Sequence, residues 1–192
     1  MVDSFDRLPK IVPPTFLFPD NPEVIKLDGF PVYKYIEEQQ MDELIKSLSN
    51  KIKLDWFDAI GINQLGADPF AQELIRLQGY NGQIFNIEYH RDHRVEIAVP
   101  EQYRGQNVGF IEDILDSGGT TKDILTDCPQ GTFVYLTEKL DIYGQFLPPR
   151  YYSAVKISNV WVGGFGMNLE SPGDGLPKNF ARDKKALYAK IT

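Results

Sequence analysis

The sequence predicts an α/β fold, with a central, mostly parallel sheet flanked by helices. Short apolar runs typical of buried strands alternate along the chain with helical patterns. The 192 residues suffice for one domain with appendages. With 42% hydrophobic and 24% charged residues, the composition is that of an ordinary globular protein. Alternating strands and helices favour a sheet covered on both faces, with ligands bound outside the carboxyl ends of its strands.

Individual elements follow from spacing and cap signals. Met41, Ile45 and Leu48 repeat at helical intervals, and Asp68 before Pro69 is typical of a helix start, with Asp68 as N-cap. The remaining elements come from apolar runs and their flanking turns. The predicted elements are a helix over 40–53, a strand Trp56–Ile62, a helix from Asp68, a hairpin of Gln83–Tyr89 and Arg94–Val99, a strand Asn107–Ile111, a helix Thr120–Leu125 and strands Thr132–Thr137, Tyr151–Ile157 and Val160–Phe165.

The two ends of the chain differ from its middle. Six prolines before residue 32 predict an extended arm over 1–30, lying on the domain surface or partly disordered. Phe16, Leu17 and Phe18 suggest that part of it packs down. The domain itself is predicted over 31–170, followed by a tail over 171–192. Residues 182–190 are basic and compatible with a solvated helix that packs Leu187 and Tyr188.

Charge and cysteine content exclude several classes of protein. A net charge of -7 argues against nucleic-acid binding through a broad basic face. One cysteine, Cys128, allows no internal disulfide, and with only two histidines a structural zinc site is not expected. No apolar run approaches the roughly 20 residues of a membrane span. We therefore expect a cytoplasmic location, with Cys128 in a structural role.

The segment that begins at Val108, VGFIEDILDSGGTTKDI, is the part of the chain most suited to chemistry. A strand leads into acids, then into glycines and hydroxyl residues at a helix start. Gly118 and Gly119 allow the backbone to approach a ligand, and N–H groups at a helix start bind anions. Such a turn can hold a phosphate without lysine. Acids followed by Ser-Gly-Gly also occur in simple solvated turns, but the full order of strand, acids, turn and helix favours a phosphate site.

This segment resembles the phosphoribosyl-pyrophosphate signature of the type I phosphoribosyltransferases. The resemblance implies that Glu112 and Asp113 hold the ribose hydroxyls, directly or around Mg²⁺. It also implies that Asp116 is catalytic, where it takes or steers the N7 proton of the base. The residues implied to hold the 5′-phosphate are Asp116, Ser117, Gly118, Gly119, Thr120 and Thr121.

Two later residues resemble the 6-oxopurine branch of that family, the xanthine–guanine and hypoxanthine–guanine enzymes. Lys139 ends a predicted strand, and Trp161 follows 22 residues later. By resemblance Lys139 donates to the purine 6-oxo group, Trp161 stacks on the base, and the backbone of Val162 reads the exocyclic substituent in a small hood. Taken singly, the lysine reads as solvated and the tryptophan as an ordinary core or surface aromatic. Their joint placement after the signature favours a base site.

Three positions depart from the family pattern. The pyrophosphate loop of the family carries a cation, whereas this chain offers Gln64, Leu65 and Gly66. The expected substitutes are backbone N–H groups and Arg91 or Arg94. Asn168 stands where the hypoxanthine–guanine branch has a metal-binding Asp, and its amide oxygen is a weaker ligand. Residues 173–175 replace an arginine of that branch, and alternation within the hairpin places His90 and His93 on opposite faces.

The resemblance implies a Mg²⁺-dependent purine phosphoribosyltransferase of purine salvage. Its substrates would be phosphoribosyl pyrophosphate and a 6-oxopurine, and its product a purine nucleoside monophosphate. It also implies a homo-oligomer, because relatives are commonly dimers or tetramers. Two alternatives remain open: a non-catalytic regulatory protein of the same fold that binds nucleotides, and a type I enzyme that uses another base.

Overall fold

A computed structural model describes residues 12–20, 22–63, 66–87, 99–169 and 175–190. The strands are β1 Thr15–Phe16, β2 Val24–Leu27, β3 Phe30–Ile36, β4 Ala59–Asn63, β5 Gln83–Ile87, β6 Val108–Leu115, β7 Thr132–Lys139, β8 Tyr151–Ile157, β9 Val162–Gly163 and β10 Leu187–Lys190. The helices are α1 Glu38–Lys51, α2 Asp68–Gln78 and α3 Gly119–Asp127, with short 3₁₀ turns at Leu54–Trp56 and Glu101–Tyr103.

The larger sheet has six strands in the order β1-β8-β7-β6-β4-β5, and every neighbouring pair is parallel. Helices α1 and α2 pack on one face, and α3 packs on the other. The predicted fold class, an α/β fold with a parallel central sheet flanked by helices, is therefore confirmed. The carboxyl ends of β4, β6 and β7 lie side by side at one edge, where ligands bind in such sheets.

The helices form where the spacing predicts them, with small shifts at their ends. In α1, Met41, Ile45 and Leu48 are buried, and Glu37 and Gln40 form a capping box at its start. The predicted cap of α2 is wrong by one residue. Ala67 is the N-cap, so Asp68 occupies the first helical position. Cys128 is buried at the end of α3, which agrees with a structural role.

Predicted strands are right in position and differ in length. Tyr151–Ile157 matches β8, while β6 and β7 run further than predicted, to Leu115 and Lys139. The strand expected over Val160–Phe165 shrinks to β9, because Gly164 at φ 107° begins a tight turn. β5 supplies the first half of the predicted hairpin. The predicted connection with His90, Arg91 and His93, and residues 94–98 of the predicted second strand, lie outside the described residues.

A smaller second sheet has the order β2-β3-β10-β9 and brings both ends of the chain together. β10 pairs antiparallel with β3 and with β9, so the prediction of a helix over residues 182–190 is wrong. Leu187 and Ala189 are fully buried in this strand. The arm also contributes β2, and its Phe16 and Phe18 pack on the core as expected, whereas Leu17 is exposed. None of the described helices is long and apolar enough to cross a membrane.

Candidate functional site

The turn between β6 and α3 presents a run of backbone N–H donors. Gly118 takes a left-handed conformation with φ 80°, and α3 begins at the next residue. The first N–H groups of a helix have no acceptor inside it. Lys122 is the first residue here to reach one, the Gly118 carbonyl at 3.0 Å. The preceding N–H groups of Gly119, Thr120 and Thr121 therefore remain available to an anion at the positive end of the helix dipole.

The side chains of this turn divide into two groups. Ser117 is exposed and Thr120 half-buried, so their hydroxyls can reach a ligand. Thr121 points inward instead: its hydroxyl is buried and lies 2.5 Å from the hydroxyl of Tyr135. The sequence counts Thr121 among the hydroxyl residues of the phosphate site, whereas the structure turns this hydroxyl towards Tyr135. Thr121 can still offer its backbone N–H.

Glu112 lies inside the sheet rather than beyond it, because β6 continues to Leu115. The Glu112 side chain is 3% exposed and accepts a hydrogen bond of 2.9 Å from the Asn63 side-chain amide. Its other oxygen, Oε1, has no partner among the described residues. Burial, and then the neighbouring Asp113 charge, raise the pKa of Glu112 to about 8. The Glu112 carboxyl is therefore mostly neutral near pH 7.

Asp113 lies close to the predicted pyrophosphate loop. Its Oδ1 accepts a hydrogen bond of 2.9 Å from the N–H of Ile114. Its Oδ2 packs on Gly66, where a β-carbon would lie 1.8 Å from that oxygen. Gly66 thus permits the acid to approach the loop, while Gln64 and Leu65 lie outside the described residues. Gly166 packs on the Gly66 carbonyl, so Gly66 lies between Asp113 and the turn that follows β9.

The described residues contain no group of three or more His, Cys, Asp or Glu side chains that could hold a metal ion. Among the predicted metal ligands, half-buried Asp113 fits Mg²⁺ as an oxygen ligand. Glu112 fits poorly as placed, because its side chain is buried in the sheet and its raised pKa favours the protonated form near pH 7. Asn168 is exposed, and no described contact joins it to either acid. Mg²⁺ commonly uses one or two carboxylates together with substrate oxygens, and Asp113 suits that arrangement.

Lys139, Asp116 and Trp161 come together beside the turn. The Lys139 ammonium lies 2.8 Å from Asp116 Oδ2 and 5.9 Å from the centre of the Trp161 ring. Lys139 is buried, whereas the Asp116 side chain is 47% exposed and Trp161 is 40% exposed. A buried ammonium over a partly exposed aromatic ring can bind a flat ring that carries an acceptor oxygen. Separate elements supply the three residues, and the fold places them at one edge.

The smaller sheet positions Trp161. Its carbonyl accepts a hydrogen bond of 3.1 Å from the N–H of Lys190, and the following residue, Val162, pairs with Ala189. Val162 itself is buried. The chain terminus expected to be a solvated helix therefore holds the segment that carries Trp161.

Sequence reasoning missed two polar groups near this edge. Gln145, in the loop after β7, donates to backbone carbonyls of both β6 and β7, and no sequence pattern announces it. Glu138 is buried and forms an ion pair of 2.8 Å with Lys156, and the hydroxyls of Tyr151 and Ser153 donate to it. An acid inside an apolar run was the available signal for Glu138. Its partners satisfy its charge, which is typical of a structural role.

Comparison with solved structures finds the same fold in several purine-handling proteins. The hypoxanthine phosphoribosyltransferase of Trypanosoma cruzi has a TM-score of 0.64 and 18% identity, covering 80% of this chain and 93% of its own. A hypoxanthine-guanine phosphoribosyltransferase of Bacillus anthracis, with HEPES in the active site, has a TM-score of 0.62 and 22% identity, covering 90% of this chain and 100% of its own. A hypoxanthine-guanine-xanthine phosphoribosyltransferase has a TM-score of 0.61 and 17% identity, covering 79% of this chain and 92% of its own.

No family model and no curated protein sequence matches this chain. At such low identities, the structural similarity establishes the fold and leaves the reaction to be argued from the residues themselves.

Proposed function

We propose that this chain, which has the type I phosphoribosyltransferase fold, is a purine phosphoribosyltransferase acting on a 6-oxopurine. The observation that carries the proposal is the cluster of Lys139, Asp116 and Trp161 next to the anion-binding turn of α3. A phosphate in the turn and a purine against Trp161 would belong to one nucleotide. The named neighbours, which act on hypoxanthine, guanine or xanthine, support this choice of base.

In the proposed reaction, a ring nitrogen of the base, N9, forms a bond to C1′ of the phosphoribosyl group. The bond between C1′ and the pyrophosphate oxygen breaks, and its electron pair leaves with pyrophosphate. Asp116 accepts the proton that the base loses, at N7 in the reacting tautomer, which is general base catalysis. Because the Asp116 side chain is 47% exposed, a base bound on Trp161 can reach its carboxylate.

The base would be chosen by two side chains. Lys139 can donate to a 6-oxo group but not accept from a 6-amino group, so adenine would offer its ammonium no acceptor at that position. Trp161 supplies area and stacking. The backbone of Val162 is the proposed reader of the exocyclic substituent. Bound Mg²⁺ would neutralise charge on the leaving pyrophosphate, with Asp113 as the protein ligand best placed for it and Asn168 as a second, weaker one.

The phosphoribosyl group would be held mainly by backbone. The N–H groups of Gly119, Thr120 and Thr121 face the 5′-phosphate, and the hydroxyls of Ser117 and Thr120 add to them. Asp113 is the proposed acceptor for a ribose hydroxyl. Glu112, while protonated, could donate from its unpartnered oxygen instead of accepting. Pyrophosphate would lie against the loop around Gln64, Leu65 and Gly66.

A second candidate is a regulatory protein that binds a purine nucleotide without turnover. The observation in its favour is that Asp113 packs on Gly66, while the described loop residues Asn63, Gly66 and Ala67 include no cation. A carboxylate in that place repels a pyrophosphate unless a cation lies between them.

The test is release of pyrophosphate from phosphoribosyl pyrophosphate and Mg²⁺, with hypoxanthine, guanine, xanthine and adenine offered separately. The proposal predicts turnover with at least one oxopurine and none with adenine. Turnover with adenine alone would contradict the proposed role of Lys139. An absence of turnover with every base, together with saturable binding of a purine monophosphate, would support the regulatory candidate.

A further inference from the structure

The loop between β7 and β8 crosses the carboxyl ends of β6 and β7. Within it, the side-chain nitrogen of Gln145 lies 2.7 Å from the carbonyl of Asp116, 3.1 Å from that of Lys139 and 3.4 Å from that of Leu115. The amide has two N–H groups, so the two shorter contacts account for both. The half-buried Gln145 side chain thus joins the backbone of Asp116 to that of Lys139, the last residue of β7.

Phe146, the next residue of the loop, contacts the turn between β6 and α3. The N–H of Phe146 donates to the carbonyl of Ser117 at 2.9 Å. The carbonyl of Phe146 lies so close to Gly118 that a β-carbon there would be 2.2 Å away. Gln145 and Phe146 therefore support one continuous stretch, from Asp116 to Gly118.

We infer that Gln145 is a positioning residue, which fixes the Asp116 carboxylate relative to the Lys139 ammonium by joining their backbones. This inference rests on the proposed function. In that reaction Asp116 handles a proton of the base while Lys139 holds the base oxygen, so the distance between them sets where the base lies. The Asp116–Lys139 ion pair of 2.8 Å shows how closely the two side chains are held.

The chemistry of the three carbonyls explains why an amide is needed. Carbonyls only accept hydrogen bonds, so a carboxylate of the same size would repel them and an apolar side chain would leave them unpaired. Two variants separate these effects. Gln145→Glu keeps the size and removes the donor, and Gln145→Met removes the donor without adding a charge.

A matched control exists far from the site. The Gln78 side chain also bridges backbone groups, donating to the carbonyls of Ser49 and Ile52 and accepting from the N–H of Leu54. Gln78→Glu and Gln78→Met remove a comparable half-buried donor between α1 and α2. Any general loss of stability should appear in both pairs of variants, and urea unfolding of all four measures it.

The experiment measures kcat, the KM for phosphoribosyl pyrophosphate and the dissociation constant of GMP. For both Gln145 variants we expect kcat to fall about 10- to 100-fold, as a displacement near 1 Å at a reacting group does. We expect the KM to change less than about threefold and GMP to bind at least about tenfold more weakly. A purely structural role would instead give the same kcat and GMP affinity as in the Gln78 variants.

The outcomes distinguish this inference from the proposed function. If the wild-type chain turns over and the Gln145 variants match the Gln78 variants in kcat and GMP affinity, the positioning role is overturned and the proposed function stands. If the wild-type chain binds GMP without turnover, and only the Gln145 variants weaken that binding, the proposed reaction is overturned and the positioning role is supported. Neither turnover nor GMP binding in the wild-type chain would overturn both.

Discussion

The turn between β6 and α3, proposed to bind the phosphate, and the cluster of Lys139, Asp116 and Trp161, proposed to read the base, lie side by side. They are nevertheless built in opposite ways. The turn is one contiguous stretch whose donors are mainly backbone N–H groups at the start of α3. The cluster consists of side chains: Lys139 lies at the end of β7, Asp116 follows β6, and Trp161 lies in the segment before β9, which pairs with β10.

This difference separates recognition of a phosphate, which is general, from recognition of a base, which is specific. A backbone cradle recognises any phosphate, because every residue offers the same N–H group. Side chains of defined shape and charge select one base from another. Substitutions should therefore be tolerated in the turn unless they move its backbone, whereas replacing a charged side chain in the cluster should be costly.

The largest expected effect is at Asp116, where the two regions meet. Asp116→Asn keeps the size but removes the negative charge that accepts the proton and pairs with Lys139. We expect kcat to fall by about 100-fold or more, as for loss of a general base. Asp123→Asn, an exposed acid further along α3, is the control. Steady-state pyrophosphate release measures both, and unchanged turnover in Asp116→Asn would remove its catalytic role.

The next effect tests the backbone of the turn. In Gly118→Ala the β-carbon would meet the carbonyl of Phe146 at 2.2 Å, so the turn must shift. We expect the KM for phosphoribosyl pyrophosphate to rise about tenfold or more, because the N–H groups lose their alignment. Gly144→Ala is the matched control: it shares a positive φ of 70° but has nothing within 4 Å. Equal effects of the two variants would mean that left-handed strain alone is being measured.

A third prediction concerns Glu112, a buried side chain on the strand that leads into the turn. Its pKa is raised to about 8, so the unfolded chain releases the proton first as pH rises. Its contribution to stability is complete below its ordinary pKa near 4.5 and declines until about pH 8. Between pH 5 and pH 9, the unfolding free energy of the wild-type chain should fall by on the order of 3–5 kcal/mol because Glu112 ionises. The Glu112→Gln variant should lack this fall.

Urea unfolding at pH 5, 7 and 9 measures this loss. Glu73→Gln is the control, since Arg76 lowers the pKa of Glu73 and removes its titration from that range. If the unfolding free energies of the wild-type chain and of Glu112→Gln change in parallel with pH, Glu112 is ionised throughout this range, contrary to what its burial predicts.

The smallest expected effect is at Ser117. Its side chain is exposed, and its carbonyl already accepts the bond that orders the turn, from the N–H of Phe146. Ser117→Ala should change the KM for phosphoribosyl pyrophosphate by less than about fivefold, equivalent to one hydrogen bond near 1 kcal/mol. A larger change, measured by the same assay, would show that hydroxyls rather than backbone dominate the cradle.

The same contrast explains what the sequence could predict. Spacing predicts α1, and the order of strand, acids, glycines and helix predicts β6 and α3, because these features depend on neighbours along the chain. The helix expected near the C-terminus was wrong because β10 forms only through its distant partners β3 and β9. Gln145 gave no signal for the same reason, since its acceptors lie on two other elements.

The roles proposed for the site depend equally on distant contacts. The sequence placed Lys139 and Trp161 together only by resemblance, and the fold brings them within 5.9 Å. In contrast, the inward turn of the Thr121 hydroxyl depends on Tyr135, a residue of the next strand. A pattern read along the chain cannot anticipate which side of a turn such a partner occupies.

The most direct test of the account uses the two tryptophans of the chain, Trp56 and Trp161. In a Trp56→Phe variant, tryptophan emission arises from Trp161 alone, and in Trp161→Phe it arises from Trp56, which lies in the turn before β4. Titration with GMP should change the emission of Trp161 saturably and leave that of Trp56 unchanged, because the proposed site stacks the base on the Trp161 ring. GMP that binds without altering Trp161 emission would contradict the base site and the function proposed from it.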